Sequence, residues 1–345
     1  MKTISRQFWM VPLLATLNLV PLTAPAALVE YQLLKEIPVG GEGGWDYSSV
    51  DAPARRLYVS HGNSVVVIDL DADKVVGDIT NTLGVHGLAP APELGRGFVS
   101  CGRENKAAIV DLKTLQILSK VETGQNPDGM LYEPTRQEVY MFNGRSQSAT
   151  VIDAKAGTVV ATIPLAGKPE FAQADAATGH VFDNLEDRSE VAVIDMKTHS
   201  VVTNWSIAPG EEASGMAVDP EHHRLFLGCG GSKTMLMLDD TTGKVMASVP
   251  IGDGVDANAF DPGTQLAFAS CRDGTVTIAH EDAPDKLTVV QTLTTAPGSR
   301  TMTLDPTTHK IYLSAAQFGP PAAGQRRSPL VAGSFKVLVF GPKAP

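Results

Sequence analysis

Six ionisable side chains fall on one phase of a repeat that runs through the 345-residue chain: Asp46, His86, Asp128, Glu170, Asp256 and Arg300, with Ser214 completing the series. Consecutive members lie 40 to 44 residues apart. The carboxylates are oxygen ligands of the kind a hard cation takes. His86 is a candidate general base, and Arg300 could neutralise Asp46 and Asp256. Positions shared by every copy of a repeat are usually packing positions, and a buried unpaired charge is costly. A position that is polar in all copies yet chemically different in each therefore points to a ligand-facing ring. The ligand-binding set read from it is Asp46, His86, Asp128, Glu170, Asp256 and Arg300.

A second series follows some fifteen residues later in each copy: His61, Cys101, Asn143, Asn184, Cys229, Cys271 and Ala315. From the two series, Asp128, Glu170, Asn143, Asn184 and His61 are candidate ligands for Ca²⁺ or a transition metal in a central channel. For the second series a plainer reading is favoured: Asn, Cys or His at a strand end satisfies the backbone of the following loop. Cys101, Cys229 and Cys271 are an odd number of thiols. Cys229 and Cys271 sit at equivalent places in adjacent repeats, roughly 10 Å apart by strand spacing and so beyond bridging distance, which predicts free thiols. The adjacent His222 and His223, like His180 and His309, fall in turns on the opposite face, where side-by-side residues seldom converge on one ion. No Gly-x-Ser-x-Gly elbow, Cys-x-x-Cys pair, haem-attachment motif or phosphate loop is present.

Strands must position these residues. Val65-Val66-Val67-Ile68-Asp69 recurs as Ala107 to Asp111, Ala149 to Asp153 and Val191 to Asp195, each aspartate 42 residues after the last, and then as Met235 to Asp239. Val276 to His280 and Lys336 to Phe340 complete seven copies. A period near 42 made of strand-like runs is the signature of propeller blades. Each copy divides into four strands, a to d, with Gly and Asp-Pro turns between them. The seventh copy lacks a strand d, and an orphan strand, Tyr31 to Ile37, lies at the start. Pairing that segment with Lys336–Phe340 closes the ring and removes two open sheet edges. The expected fold is all-β: a seven-bladed β-propeller of four-stranded antiparallel blades, one domain over residues 27–345, closed by the N-terminal strand. Between strands b and c of the last copy, a Gly- and Pro-rich insertion from Ala315 to Phe335 carries Arg326 and Arg327, and reads as a lid or a solvated loop.

Residues 1–26 read as an export signal: Lys2 and Arg6, an apolar stretch from Phe8 to Leu22, and the small-residue pattern Thr23-Ala24-Pro25-Ala26. The expected setting is periplasmic or secreted after cleavage near Ala26, with no membrane span, since the apolar run is short and broken by proline. The formal charge of −10, with no clustered basic stretch, argues against nucleic acid. The expected partners are a small polar ligand or a protein segment, bound by a monomer.

The segments Tyr58-Val59-Ser60-His61 and Val139-Tyr140-Met141-Phe142-Asn143, each followed by Val-Ile-Asp and then by a run such as Gly157-Thr158-Val159 to Ile163, resemble the YVTN-repeat β-propeller family. The resemblance spans all seven copies. It implies the fold and an exported setting but no reaction. Propeller lactonases share the architecture, and by that likeness the alternative to a binding module is a hydrolase in which a channel Ca²⁺ polarises a carbonyl. Its oxygen donors would be Asp128, Glu170, Asp256, Asn143, Asn184 and Asn258, with His86 as base. A Zn²⁺ or Cu site on His61, His86 and the thiols is the third reading.

Overall fold

The c-strand runs are apolar at every position rather than at alternate ones, and the reason is sandwiching. Val65 to Ile68 are all buried, because each blade has another sheet against both of its faces. The computed structural model describes residues 29–321 and 328–343, so the segment read as an export signal and the pair Arg326 and Arg327 lie outside the described residues. Seven four-stranded antiparallel sheets form, each with its strands in the order a-b-c-d. Strand a is innermost, as in Pro127–Glu133 of blade 3 and Pro169–Asp175 of blade 4. Strand d is outermost, and in blades 1 and 3 its last apolar residue turns inward while the earlier ones face out. Ile79 and Ile163 are buried whereas Val75, Val76, Val159 and Val160 are exposed.

Blade 7 takes its strand d from the other end of the chain. Tyr31–Pro38 pairs antiparallel with Lys336–Pro342, in a register that puts Leu33 opposite Phe340 and Ile37 opposite Val337. Tyr31 and Ile37 are each 1% exposed, and they belong to different apolar clusters. Tyr31 packs with Phe268, Ile278 and Phe340 of blades 6 and 7. Ile37 packs with Leu57, Val59 and Val337 of blades 7 and 1. The closing strand thus stitches blades 6, 7 and 1 together. Apolar burial between neighbouring blades continues round the ring, the arrangement expected where a single blade is too thin to own a core.

The recurrent aspartate at the end of strand c caps the following hairpin. Asp69 Oδ1 accepts the N–H groups of Asp71 at 2.9 Å and Ala72 at 2.7 Å, and Asp111, Asp153, Asp195 and Asp239 repeat the bond pair. The described ends of the blade-7 insertion carry one isolated bridge, Phe318 with Leu330. Trp45 packs against Phe335 and Phe318, at centroid distances of 5.2 and 6.2 Å. Among the described residues no helix is long and apolar enough to cross a membrane.

Candidate functional site

Strand a enters each blade through a break in its pairing with strand b, and the polar series sits on that break. The register shifts between Val85 and Leu88, Pro127 and Met130, Pro169 and Ala172, Ala213 and Gly215, and Val255 and Ala257. His86, Asp128, Glu170, Ser214 and Asp256 are each left out of the pairing, the first three together with Gly87, Gly129 and Phe171. A bulge frees a side chain from the pleat and re-aims it, which here delivers one polar group per blade toward the axis. In blades 1 and 7, Asp46 and Arg300 lie just ahead of strand a, which starts at Ser48 and Met302. Glycine after the bulged residue lets neighbouring a strands approach closely: a Cβ on Gly129 would stand 2.3 Å from the Glu170 carbonyl oxygen.

The result is an axial cavity of about 460 Å³. Asp46, Asp128, Glu170, Ser214, Asp256 and Arg300 line it. His86 joins through its Nδ1, 2.8 Å from Asp46 Oδ2 and 3.1 Å from Asp128 Oδ1. Arg300 Nη1 lies 3.1 Å from Asp256 Oδ1. All six sequence-read ligand-binding residues therefore converge.

The second series behaves differently, and none of its members lines the axial cavity. Asn143 donates through Nδ2 to Ser148 Oγ at 3.2 Å and Thr150 Oγ1 at 3.0 Å inside its own blade. His61 is buried and stacked on Phe335, centroids 4.1 Å apart, against surface clefts beside the insertion. Asn184 does not belong to the series: pairing places Leu185 opposite Pro169, as Asn143 is opposite Pro127 and Cys229 opposite Ala213. Asn184 shares the preceding position with Ser60, Ser100 and Ser270, which hold the ring backbone. Ser60 Oγ accepts the Asp46 N–H at 2.8 Å, and Asn184 Nδ2 donates to the carbonyls of Ser214 and Gly215 at 3.0 and 3.1 Å. The geometry thus gives His61, Asn143 and Asn184 packing and positioning roles away from the channel. Cys101, Cys229 and Cys271 are buried and free, and burial pushes each thiol up to about 12.

Four charged lining residues escaped the sequence reading: Lys168, Glu186, Glu212 and Arg272. Lys168 is ion-paired with Glu170 and lies 2.7 Å from Glu186. Glu186 and Arg272 share a signal that could have found them. Both stand directly after strand b, where four other copies have Gly62, Gly102, Gly144 and Gly230.

Six lining carboxylates face three lining cations, Lys168, Arg272 and Arg300. The imbalance is visible in the titrations. Burial pushes the Asp128 carboxyl up to about 6, with Asp46 adding to the rise against His86. Burial pushes Glu170 up to about 8, despite Lys168, with Asp128 and Glu186 adding repulsion. Asp256 is raised by burial that outweighs Arg300. Behind Glu170, the fully buried Asp183 is held far above the carboxylate range by burial, and neither of its oxygens has a hydrogen-bond partner. Burial lowers His86, but the bond to Asp46 and the fields of Asp128, Asp46 and Glu170 outweigh it, so its net shift is upward.

Fold and site together define a seven-bladed β-propeller with a cation-poor acidic cavity on its axis. No protein-family model matches the chain, and no curated protein matches it.

Proposed function

We propose that the chain is an exported binding module, a member of the YVTN-repeat propellers, that captures a small polar ligand or a partner segment by a cationic group. One observation carries this reading: the cavity holds six carboxylates against three cations, and burial raises Asp128 to about 6 and Glu170 to about 8 even with His86 and Lys168 beside them. A primary ammonium or guanidinium entering the cavity would supply the missing charge in a place where water screens it little. The export reading rests on Lys2, Arg6 and the apolar stretch that follows, and the family reading on the Tyr58–His61 and Val139–Asn143 segments.

The hydrolase alternative asks His86 to act as a base. Its Nδ1 is already engaged by two carboxylates, whose hydrogen bond and fields favour its protonated form and raise its pKa above the ordinary imidazole value. An Nδ1 engaged this way is not free to act as a base or to ligate a metal, so binding without turnover is the better-supported reading.

The test is calorimetric titration of the mature protein with agmatine and spermidine, with citrate as the anionic control. Saturable binding of the amines that weakens at least tenfold in Asp128→Asn supports the reading. Binding of citrate alone, or amine binding unaffected by Asp128→Asn, defeats it.

A further inference from the structure

The face opposite the cavity carries a second cluster, about 16 Å away along strand a of blade 4, since Asp175 ends the strand in which Glu170 is the second residue. It arises from one substitution in the repeat. The residue after the strand-c aspartate (His280 in blade 6) donates its N–H to the carbonyl of the residue before strand b in each of six blades. Four of these residues are apolar and buried: Leu70, Leu112, Ala154 and Met196. In blade 6 the position is Glu281, and in blade 5 it is Asp240, 1% exposed. Packing alone does not call for an acid there.

Asp240 meets two groups at the junction of blades 4 and 5. His223 Nδ1 lies 3.1 Å from Asp240 Oδ1 and 4.0 Å from Asp175 Oδ2. At two other junctions the equivalent residue pairs directly with the aspartate ending strand a of the preceding blade: Arg55 with Asp305, and His309 with Asp261, each at 2.7 Å. At the blade 4–5 junction the imidazole turns to Asp240 instead, leaving a gap. Asp175 is 2% exposed. Oδ2 of Asp175 and Oδ2 of Asp240 are buried without a hydrogen-bond partner. Among the described residues neither carboxylate makes an ion pair with Lys or Arg, whereas the related set Asp219, His222 and Glu281 has Arg224 3.7 Å from Glu281. Ligand atoms of Asp175, His223 and Asp240 all lie within 4.8 Å of one another.

We propose that Asp175, His223 and Asp240 form a binding site for a divalent transition-metal ion that clamps blade 4 to blade 5. Two carboxylate oxygens and one imidazole nitrogen are a ligand set that Zn²⁺ takes, with water in the fourth place. Zn–O and Zn–N bonds of about 2.0–2.2 Å put tetrahedral ligand atoms about 3.3 Å apart, between the two distances His223 now makes. The ion would neutralise two buried carboxylates that have only an imidazole between them. His223, half-exposed at the turn, provides the route in.

Zn²⁺ is the probe, titrated calorimetrically into mature protein stripped with EDTA, with melting followed in parallel. The expected result is one Zn²⁺ per chain and a higher Tm on loading. Asp240→Leu restores the residue of blades 1 and 2, so the fold is retained, and it weakens Zn²⁺ uptake by at least about 100-fold. His223→Gln, the residue at this place in blades 3 and 6, weakens it at least tenfold and covers the case in which Asp240→Leu fails to fold. Glu281→Gln leaves uptake unchanged. The proposal is overturned by no saturable uptake, which would leave the two carboxyls sharing a proton only. It is equally overturned by uptake that survives Asp240→Leu and His223→Gln, or by uptake lost in Asp128→Asn, which would move the ion to the axis.

Discussion

Replacing Glu170 by Gln should stabilise the protein, and only above a defined pH. Glu170 titrates at about 8 in the folded chain, against 4.5 when unperturbed. Between those values the unfolded chain releases a proton that the folded chain keeps, so wild-type stability falls as pH rises from about 4.5 to about 8. At pH 7 the 2.5 units between the unperturbed value and the solution correspond to about 3 kcal/mol, at roughly 1.4 kcal/mol per unit. Gln has no proton to hold and retains both a donor and an acceptor, and Lys168 keeps Glu186 at 2.7 Å. Glu170→Gln should therefore melt higher than wild type at pH 7 by about 6 °C, converting at about 2 °C per kcal/mol for a chain of this size. At pH 4.5 the two should melt together. Urea unfolding of both proteins at pH 4.5, 7 and 8.5 measures this. A difference that does not change with pH, or a variant less stable than wild type at pH 8.5, would refute the argument that uncompensated charge governs the cavity.

Three further outcomes follow from the same structure. Deleting residues 29–38 removes the buried Tyr31 and Ile37, worth about 1.5–3 kcal/mol each, and opens the Lys336–Pro342 edge; urea unfolding should show a loss of at least about 4 kcal/mol, and an unchanged midpoint would mean the ring is not closed this way. The three thiols should resist a disulfide reagent at pH 8 in the native protein and all react in denaturant, because burial holds each near 12; rapid native labelling of Cys101, Cys229 or Cys271 would contradict the packing. Arg300→Gln removes a cation 3.1 Å from Asp256 and should strengthen agmatine binding by about tenfold at pH 8, a change of about 1.4 kcal/mol; weaker binding would show that Arg300 contacts an anionic part of the ligand.

The fold was legible because the repeat is regular where packing and turn chemistry demand it. Val-Ile-Asp runs are both the sandwiched c strands and their Asx-capped turns, and the orphan strand at Tyr31 could pair only at the other end of the chain. The axial ring was legible because bulged residues escape the packing rule that makes other positions alike. The second series was harder to read. Asn184 looks equivalent to Asn143 by residue type, but blade 4 keeps the same strand length and puts Leu185 at that position. Lys168, Glu186, Glu212 and Arg272 come from loops flanking the strands, where an element-by-element reading gives no reason to look inward. His222 and His223 read as an exposed pair that does not converge, and they do not meet; each instead faces carboxylates of its own, because His223 meets an acid where blades 1 to 4 place Leu, Ala or Met.

The central claim is that the axial cavity exchanges protons for a cation, and proton-linked calorimetry measures that exchange directly. Agmatine is titrated into the mature protein at pH 7 in buffers of different ionisation enthalpy. Carboxyls raised to about 6 and about 8 at Asp128 and Glu170 predict that binding releases about one proton per ligand, and that Glu170→Gln reduces the release. Binding with no net proton release, or with proton uptake, would contradict the account.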